Sequence, residues 1–309
     1  MSETTVVLGA GSGLGAEIAR QLSTDGRPVR GVTRTGKGLP PGVENHRTDV
    51  MDREALIAAC HDAAVIHMAA NVPYPEWVAS FPVMIDNVIA AAEATGAKVV
   101  FADNLYAYGP VTGPITEQTP QRPVGPKERM RADLGHTLLA AHERGRMRVT
   151  IGRISDYYGP DARMSLPGEL IVGPLSRGRR PMWFAPLGIP HTFGYSSDTA
   201  RALIILGDDA RADGQIWHTP AAETLTIAEF IRLTGRVAGR ERHPLRLPAA
   251  TVRLLGLLDP RLRGYDEMDH QRTHPWVVDH AKFDGVFGPL PVTDHETALA
   301  ETVRWYRAT

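Results

Sequence analysis

The amino-acid sequence predicts an α/β fold with a doubly wound parallel sheet and a smaller C-terminal lobe. In the first half of the chain, short apolar runs rich in β-branched residues alternate with segments of helical periodicity. This alternation is typical of a parallel sheet with helices on both faces. Beyond about residue 160, prolines and glycines interrupt the pattern. We therefore expect a first domain at 1–160 and a lobe at 161–309, from which residues 192–220 return to the first domain.

The first strand and the turn after it carry the clearest functional signal. Val6, Val7 and Leu8 form a short buried strand, and four of the next seven residues are glycines. A helical spacing that includes Leu14 and Ile18 begins within this turn. A strand, a glycine turn and a helix let the pyrophosphate of a dinucleotide rest on the helix N-terminus, as in a Rossmann fold. A tight turn without a ligand is the alternative. The turn residues predicted to bind the cofactor are Gly9, Gly11, Ser12, Gly13, Leu14 and Gly15.

The remaining elements follow from apolar patterns between turn-forming residues. Asp52 has the position of a helix cap, and capping-box spacing at Thr226–Glu229 and Thr293–Glu296 predicts two further helix starts. Strands are predicted at 28–32, just before Thr48, and at 63–70, 98–102, 148–153 and 215–218. Helices are predicted at 76–95, 127–144 and 198–207. The inward-facing stripe of the first of these helices is predicted to comprise Val78, Phe81, Ile85, Val88 and Ile89.

Composition argues against several classes of protein. The 309 residues include 34 Lys plus Arg and 35 Asp plus Glu, which gives no reason to expect nucleic acid or an anionic membrane as a partner. Cys60 is the only cysteine, so no intrachain disulfide can form and a reducing compartment is expected. The sequence shows no signal peptide and no apolar run that approaches membrane-spanning length. The expected location is the cytoplasm.

The residues after the second strand bear on the choice of cofactor. An acidic residue there binds the ribose 2′-hydroxyl of NAD, whereas an arginine accommodates the 2′-phosphate of NADP. The sequence has Thr33-Arg34-Thr35, with no acidic residue between Val29 and Val43. A guanidinium group can bond two phosphate oxygens at once. We therefore predict NADP, bound by Arg34. NAD is the alternative cofactor, and a solvated strand end is the alternative interpretation of Arg34.

Several further segments, taken in order, resemble a known family. Tyr108-Gly109-Pro110 and Tyr158-Gly159-Pro160 resemble its two Tyr-Gly landmarks, and 193–200 resembles the segment that returns from its substrate lobe. Over nearly its whole length the chain is similar to the extended or atypical short-chain dehydrogenases/reductases of the NAD(P)-dependent epimerase/dehydratase family. The resemblance implies a small-molecule substrate, and homodimerisation through helices 76–95 and 127–144. It assigns to cofactor binding Asp49 and Val50, Met68, Ala69 and Ala70 at the end of the fourth strand, Asn87, and Lys127.

The chain departs from this family at the catalytic positions. The family uses a Ser or Thr after the fifth strand, and a Tyr and a Lys four residues apart on the next helix. The resemblance places Asn104, Lys127 and Arg131 at these three positions. Asn104 can still orient a substrate oxygen. Lys127 can bond the ribose or act as an acid or base, and the charge of Arg131 one turn away would disfavour its protonated form. The alternative is that both cations bind only the cofactor or face solvent.

Loops expected to face the nicotinamide or the lobe carry alternative proton donors, for which a packing or ordinary loop role is the competing interpretation. These residues are Tyr106, Tyr108, Tyr157, Tyr158 and His191. His270 and His274 have the spacing of a helical zinc site, but no Glu follows His270 and Pro275 ends the helix. No metal site is therefore predicted.

Together these residues predict an NADP-dependent oxidoreductase, or an epimerase-like enzyme, that acts on a small carbonyl or hydroxyl compound through a non-standard active site. Loss of the family's three catalytic residues also permits a different function, a catalytically silent sensor or scaffold protein that binds NADP(H). A pocket with another proton donor beside the nicotinamide would favour the enzyme. A filled pocket would favour the sensor.

Overall fold

A seven-stranded parallel sheet forms the centre of the molecule. The computed structural model describes residues 4–162, 165–246 and 265–309. The strands of the sheet are β1 (Thr4–Leu8), β2 (Val29–Thr33), β3 (Glu44–Arg47), β4 (Ala63–Met68), β5 (Lys98–Asn104), β6 (Arg148–Ile154) and β7 (Ile216–His218). They pair in parallel in the order β7-β6-β5-β4-β1-β2-β3. The predicted doubly wound α/β fold class is confirmed.

Helices make most of the crossovers between the strands, because parallel neighbours need a connection of a dozen or more residues. The helices are α1 (Gly13–Thr24), α2 (Arg53–Ala59), α3 (Trp77–Thr95), α4 (Pro126–Glu143), α5 (Gly173–Ser176), α6 (Ser196–Asp208), α7 (Ile227–Val237), α8 (Asp269–Thr273), α9 (Ala281–Phe287) and α10 (His295–Ala308). Short 3-10 turns lie at Tyr74–Glu76, Tyr106–Tyr108, Ala210–Ala212 and Tyr265–Met268, and a π-helical turn lies at Gly168–Val172.

After β6 the chain leaves the sheet, and it returns with α6 and β7. Short strands pair within the excursion before α6 in one case, and between that excursion and the chain after β7 in two cases. The three pairs are Tyr157–Tyr158 with Gly194–Tyr195, Pro190–His191 with Leu225–Thr226, and Met182–Trp183 with Leu245–Arg246.

Apolar side chains are buried on both faces of the sheet. Successive residues of a strand point to opposite faces, so Val6 and Leu8 of β1 pack with α2, α3 and α4, whereas Val7 packs with α1 and α6. A separate apolar cluster forms outside the sheet, where Phe230 of α7 and Leu299 of α10 are both fully buried. The sheet thus anchors two cores, and the C-terminal helices have one of their own.

The predicted helix starts are largely confirmed. Asp52 caps α2 through its side chain, and Thr226 caps α7 in a capping box. The last helix is capped by Asp294 and not by Thr293. Thr293 instead binds Asp198 through its backbone N–H at 2.7 Å and its hydroxyl at 3.0 Å. A tertiary contact therefore moves this helix start by one residue.

Helix α3 corrects two expectations. Val78 is 44% exposed, and Trp77 takes the first inward position instead. The segment Tyr74–Thr95 has 22 residues and a mean hydropathy of 1.2, which is long and apolar enough to cross a membrane by length and composition. The statement that no apolar run approaches that length is therefore wrong. Half of the apolar window is buried within the protein, and packing against α2, α4 and the sheet accounts for its composition.

Close backbone contacts fix the glycines of the β1–α1 turn. A Cβ atom at Gly9 would lie 2.6 Å from Ala70 Cα, and Gly9 also has a φ of 86°. A Cβ atom at Gly11 would lie 2.7 Å from the Lys37 carbonyl oxygen, and one at Gly15 would lie 2.3 Å from the Gly9 carbonyl oxygen. Helix α1 therefore begins directly against the backbone that leaves β1.

We expect Gly15→Ala to destabilise the protein by about 1–3 kcal/mol, because the added methyl must displace the Gly9 carbonyl. Gly285→Ala in α9 is the matched control, since no atom lies within 4 Å of its Cβ position. That control is expected to be neutral or more stable by up to about 1 kcal/mol. Urea denaturation measures both free energies of unfolding. Equal stability of the two variants would contradict the close contact.

Candidate functional site

The strand order reverses beside β1, and open α/β sheets form a ligand crevice at the carboxyl ends of the strands at such a point. β1 lies between β2 and β4, and ligands of open α/β sheets bind at such switch points. The glycine turn follows β1, whereas Ala69 and Ala70 follow Met68 at the end of β4. The Ala69 N–H donates to the Leu8 carbonyl at 3.1 Å. Two sets of predicted cofactor residues therefore meet at one edge of the sheet.

The N-terminus of α1 has the chemistry of an anion site. Ser12 makes no side-chain capping bond, and no acidic residue lies in the first turn, which Gly13 and Leu14 begin. The Gly13 N–H donates to Asp161 Oδ2 at 3.2 Å, so an anionic oxygen lies at this helix end. A pyrophosphate presents oxygens of the same kind. The residues present fit a dinucleotide, whose phosphate would compete with Asp161 for the Gly13 N–H.

The loop after β3 lies at the same edge. Asn87 of α3 donates from Nδ2 to the carbonyls of Val50 and Met51, each at 3.0 Å. Asp49 accepts the Met51 N–H at 3.0 Å and is exposed. Asn87 thus shapes the loop that holds Asp49 and Val50, and the sequence assigned all three residues to the cofactor.

Two arginines lie together where β2 and β3 end. Arg34 follows β2, and Thr33 of that strand is in register with Arg47 of β3. Arg47 Nε donates to the Arg34 carbonyl at 3.1 Å, and both side chains are exposed. Sequence reasoning found Arg34 and missed Arg47, because only the strand register brings the second arginine alongside.

Asn104 is the last residue of β5 and lies at the crevice edge. Its Oδ1 accepts the Tyr106 N–H at 3.0 Å, and its amide nitrogen, which carries two N–H donors, makes no hydrogen bond to another described residue. Tyr106 begins the 3-10 turn that packs against α4. Asn104 can therefore donate to a substrate oxygen, although an amide does not exchange a proton usefully at neutral pH.

Lys127 lies in the first turn of α4 and is 6% exposed. Its Nζ donates to Glu267 Oε1 at 3.0 Å and lies 4.3 Å from the centre of the Tyr74 ring. Glu128 fixes the start of this helix, because its Oε2 accepts the Gly125 N–H at 2.8 Å. The ammonium group is therefore held between the sheet domain and the C-terminal lobe.

Arg131 lies one turn further along α4 and points into the core. Its Nη1 is 3.2 Å from Asp103 Oδ1, and its guanidinium carbon lies 4.3 Å and 3.9 Å from the ring centres of Trp77 and Phe81. Arg153 of β6 shares the same carboxylate through Oδ2 at 3.4 Å. The Asp103 and Arg153 side chains are completely buried. Burial lowers the pKa of Arg131, and the charge of Asp103 opposes that shift.

The two cations of α4 are compensated separately. Lys127 faces Glu267, whereas Arg131 faces Asp103. The sequence suggested an uncompensated charge on Arg131 beside Lys127, whereas in the structure Asp103 compensates that charge. The charge nearest to Lys127 is therefore the Glu267 carboxylate, and not the Arg131 guanidinium that the sequence suggested.

Two of the alternative proton donors lie within hydrogen-bonding distance of histidine side chains. The Tyr108 hydroxyl lies 2.8 Å from His218 Nε2, and the Tyr158 hydroxyl lies 2.8 Å from His295 Nδ1. Burial raises the pKa of Tyr108, Tyr157 and Tyr158, which makes them poorer acids. These contacts favour the packing interpretation of both landmark tyrosines.

His191 is 1% exposed, and its Nε2 lies 3.1 Å from Asp156 Oδ2. Sequence reasoning missed Asp156, although a signal existed. Asp156 follows the end of β6 much as Asn104 ends β5, and carboxyl ends of parallel strands meet at one edge. It also missed Glu267 and Asp161, for which no local pattern gave a signal.

Comparison with known proteins places the chain in a family. The model of the NAD dependent epimerase/dehydratase family matches residues 5–218. The chain belongs to this family. It is 26% identical over 273 residues to the dTDP-glucose 4,6-dehydratase of an Actinoplanes species, with 85% of this chain and 79% of the relative covered. It is 22% identical to the UDP-N-acetyl-alpha-D-glucosaminuronate decarboxylase of Bacillus cytotoxicus, with 99% and 98% covered.

Solved structures of similar proteins share the epimerase/dehydratase fold. The UDP-glucose 4-epimerase of Thermus thermophilus in complex with NAD superposes with a TM-score of 0.79 at 19% identity, covering 98% of this chain and 99% of the other. The UDP-glucuronic acid 4-epimerase of Bacillus cereus, in complex with UDP-glucuronic acid and NAD, gives 0.80 at 14% identity, with 99% of each chain covered. At these identities the likeness concerns the fold, and the bound molecules belong to those proteins.

The described ranges contain no group of three or more His, Cys, Asp or Glu side chains placed to hold a metal ion. His270 of α8 lies 3.3 Å from Glu128 Oε1, and His274 follows the end of the helix. In the part of the chain that the structure describes, the polar and charged side chains of the candidate site therefore do not form a metal-binding cluster.

We expect Asp103→Asn to destabilise the protein by about 3–5 kcal/mol, because it leaves the guanidinium groups of Arg131 and Arg153 buried without a counter-charge. Glu93→Gln is the control, since its partner Arg146 is 45% exposed. An exposed pair of this kind contributes about 0–1 kcal/mol. Chemical denaturation of both variants measures the difference. A loss below about 1 kcal/mol for Asp103→Asn would show that the pair is not a structural requirement.

Proposed function

We propose that the protein is an NAD(P)-dependent oxidoreductase or epimerase-like enzyme that acts on a hydroxyl or carbonyl group of a sugar nucleotide. The observation that carries the proposal is Lys127, whose ammonium group is held 3.0 Å from Glu267. Lys127 lies in the first turn of α4, and α4 packs against the 3-10 turn that follows Asn104. The names of the relatives support the substrate class, because they refer to dTDP-linked or UDP-linked sugars.

The glycine turn would hold the cofactor pyrophosphate, and the loop of Asp49 and Val50 would hold the adenosine. When bound, the nicotinamide supplies hydride transfer. Asn104 would donate its amide N–H to the reacting oxygen of the substrate. A lysine ammonium has three N–H donors, so Lys127 can serve Glu267 and a substrate oxygen together. It would stabilise or protonate that oxygen, and Arg131 would hold Asp103 in place behind Asn104.

Three broader expectations stay predictions within this proposal. Residues 161–309 would mainly bind substrate, with residues 1–160 binding the cofactor. Homodimerisation would use α3 and α4. A cytoplasmic location is the third of these predictions.

We expect Lys127→Met to lower kcat by about 10²- to 10⁴-fold, the range typical of a lost general acid or base. The assay follows conversion of UDP-glucose, dTDP-glucose and UDP-glucuronic acid with NADP⁺ or NAD⁺. Lys127 is also predicted to bond the cofactor ribose, so cofactor affinity is expected to fall as well, but far less than kcat. Arg129→Met is the control, since Arg129 is exposed on the same helix. Retained activity in Lys127→Met would overturn the assignment.

The second candidate function is an NADP(H)-binding sensor or scaffold protein without turnover. The burial of Arg131 against Asp103 favours it. Arg131 is one of the three positions at which the chain differs from the family's catalytic residues, and this contact gives it a structural role. Two surface cavities, one between α7 and α10 and one beside β7, are lined by neither Asn104 nor Lys127. Cofactor binding without turnover across the nucleotide-sugar panel would favour this function over the enzyme.

We further propose a preference for NADP over NAD. Arg34 and Arg47 lie together where β2 and β3 end, and both are exposed. Two guanidinium groups suit the 2′-phosphate, because each can bond two of its oxygens. The solved relatives named above contain NAD, so this preference would distinguish the chain from them.

We expect the Arg34→Ala/Arg47→Ala double variant to bind NADPH about 10- to 100-fold more weakly, the effect of losing charge-assisted bonds to a phosphate. NADH affinity is expected to change little, because it lacks the 2′-phosphate. Intrinsic fluorescence titrations measure both. Arg20→Ala is the control, since Arg20 is an exposed residue of α1 paired with Glu17. Equal weakening for both cofactors would contradict a phosphate site.

A further inference from the structure

We propose that the Asp156 carboxylate accepts a hydrogen bond from a hydroxyl group of the substrate sugar. It would thereby select sugar nucleotides whose sugar is uncharged over those whose sugar carries a carboxylate. This inference rests on the proposed function, and it concerns the substrate that the same crevice takes. Asp156, His191 and Gln271 come from three separate parts of the chain.

The position of Asp156 relates it to the candidate site. Asn104 of β5 is in register with Ile154 of β6, and Asp156 lies two residues further along. Adjacent strands are about 4.8 Å apart, so Asp156 borders the region that Asn104 faces. The next residue, Tyr157, places its hydroxyl 4.0 Å from the Cβ position of Gly13. Tyr157 therefore approaches the cofactor turn, whereas Asp156 contacts the lobe.

The hydrogen bonds of Asp156 hold one oxygen and leave the other. Gln271 Nε2 donates to Oδ2 at 2.9 Å, and His191 Nε2 lies 3.1 Å from the same atom. Among the described residues no hydrogen bond reaches Oδ1. The Asp156 side chain is 22% exposed, whereas His191 and Gln271 are 1% and 3% exposed. Two buried side chains thus hold a partly exposed carboxylate whose second oxygen has no hydrogen-bond partner among the described residues.

The charge of Asp156 is maintained by its surroundings. Burial raises the pKa of this carboxyl group, but the contacts of His191 and Gln271 and the charge of Arg272 outweigh burial and lower it below the usual range. An ionised carboxylate accepts hydrogen bonds and cannot donate them. It therefore suits a hydroxyl group and repels a second carboxylate.

A purely structural role is the competing explanation, because Asp156 also joins β6 to the Pro190–His191 strand and to α8 through side chains. That role would need only Oδ2. Oδ1 has no hydrogen-bond partner among the described residues, and a structural role leaves this oxygen unused. The two explanations differ in whether a substitution changes substrate choice.

The test measures binding of UDP-glucose and UDP-glucuronic acid to the NADPH-loaded protein by calorimetry. These ligands differ in one hydroxymethyl or carboxylate group of the sugar. We expect the wild type to bind UDP-glucose at least ten-fold more tightly. In Asp156→Asn that ratio is expected to fall by about ten-fold, because the amide weakens the bond to the hydroxyl and removes the repulsion of the carboxylate.

Two further variants control the result. Asp208→Asn removes the same charge from an exposed pair with Arg27, and it should leave the ratio unchanged. Gln271→Leu keeps the Asp156 charge and removes one donor that positions it, so it should lower UDP-glucose affinity without admitting UDP-glucuronic acid. If Asp156→Asn unfolds, the wild-type preference and the Gln271→Leu affinities still decide the proposal.

The outcomes separate this inference from the proposed function. An unchanged ratio in Asp156→Asn, with both ligands bound, would overturn the role of Asp156 and leave the enzyme proposal standing. A changed ratio without turnover of either ligand would support Asp156 and count against the enzyme. Wild-type preference for UDP-glucuronic acid, or binding of neither ligand, would overturn the inference.

Discussion

One buried carboxylate fixes the geometry of the candidate site. Asp103 near the end of β5 contacts Arg131 of α4 and Arg153 of β6, and water reaches almost none of the three side chains. An unpaired charge in such surroundings costs several kcal/mol, so α4 cannot shift against the two strands without separating these groups. Asn104 follows Asp103 directly, and Lys127 lies one turn before Arg131. The network therefore sets the distance between the two residues proposed to meet the substrate.

Aromatic rings complete this arrangement from the side of α3. Trp77 and Phe81 cover the guanidinium of Arg131, and Tyr74 lies against Lys127. A cation close to an aromatic face gains attraction that is stronger once water is excluded. This contact explains why Trp77, and not Val78, takes the first inward position of α3. The start of this helix is fixed by the cations of α4 as well as by apolar packing.

The C-terminal lobe supplies the polar groups that complete the crevice. Glu267 contacts Lys127, and Gln271 contacts Asp156, while His191 reaches Asp156 from the excursion before α6. The sheet supplies the residues of the turns and strand ends, and the lobe supplies their charged or hydrogen-bonding partners. A substrate between them would meet groups from both parts, so specificity would depend on how the lobe packs against the sheet.

The sequence by itself determined the doubly wound fold, the glycine turn and two of the three tested helix starts, because these depend on local spacing and backbone conformation. The tertiary structure decided which charges face one another. Lys127 pairs with Glu267 across 140 positions, and the register of β2 with β3 brings Arg47 to Arg34. Periodicity reports the face of an element that is buried, but a side-chain partner depends on how distant elements pack, and no local pattern encodes it.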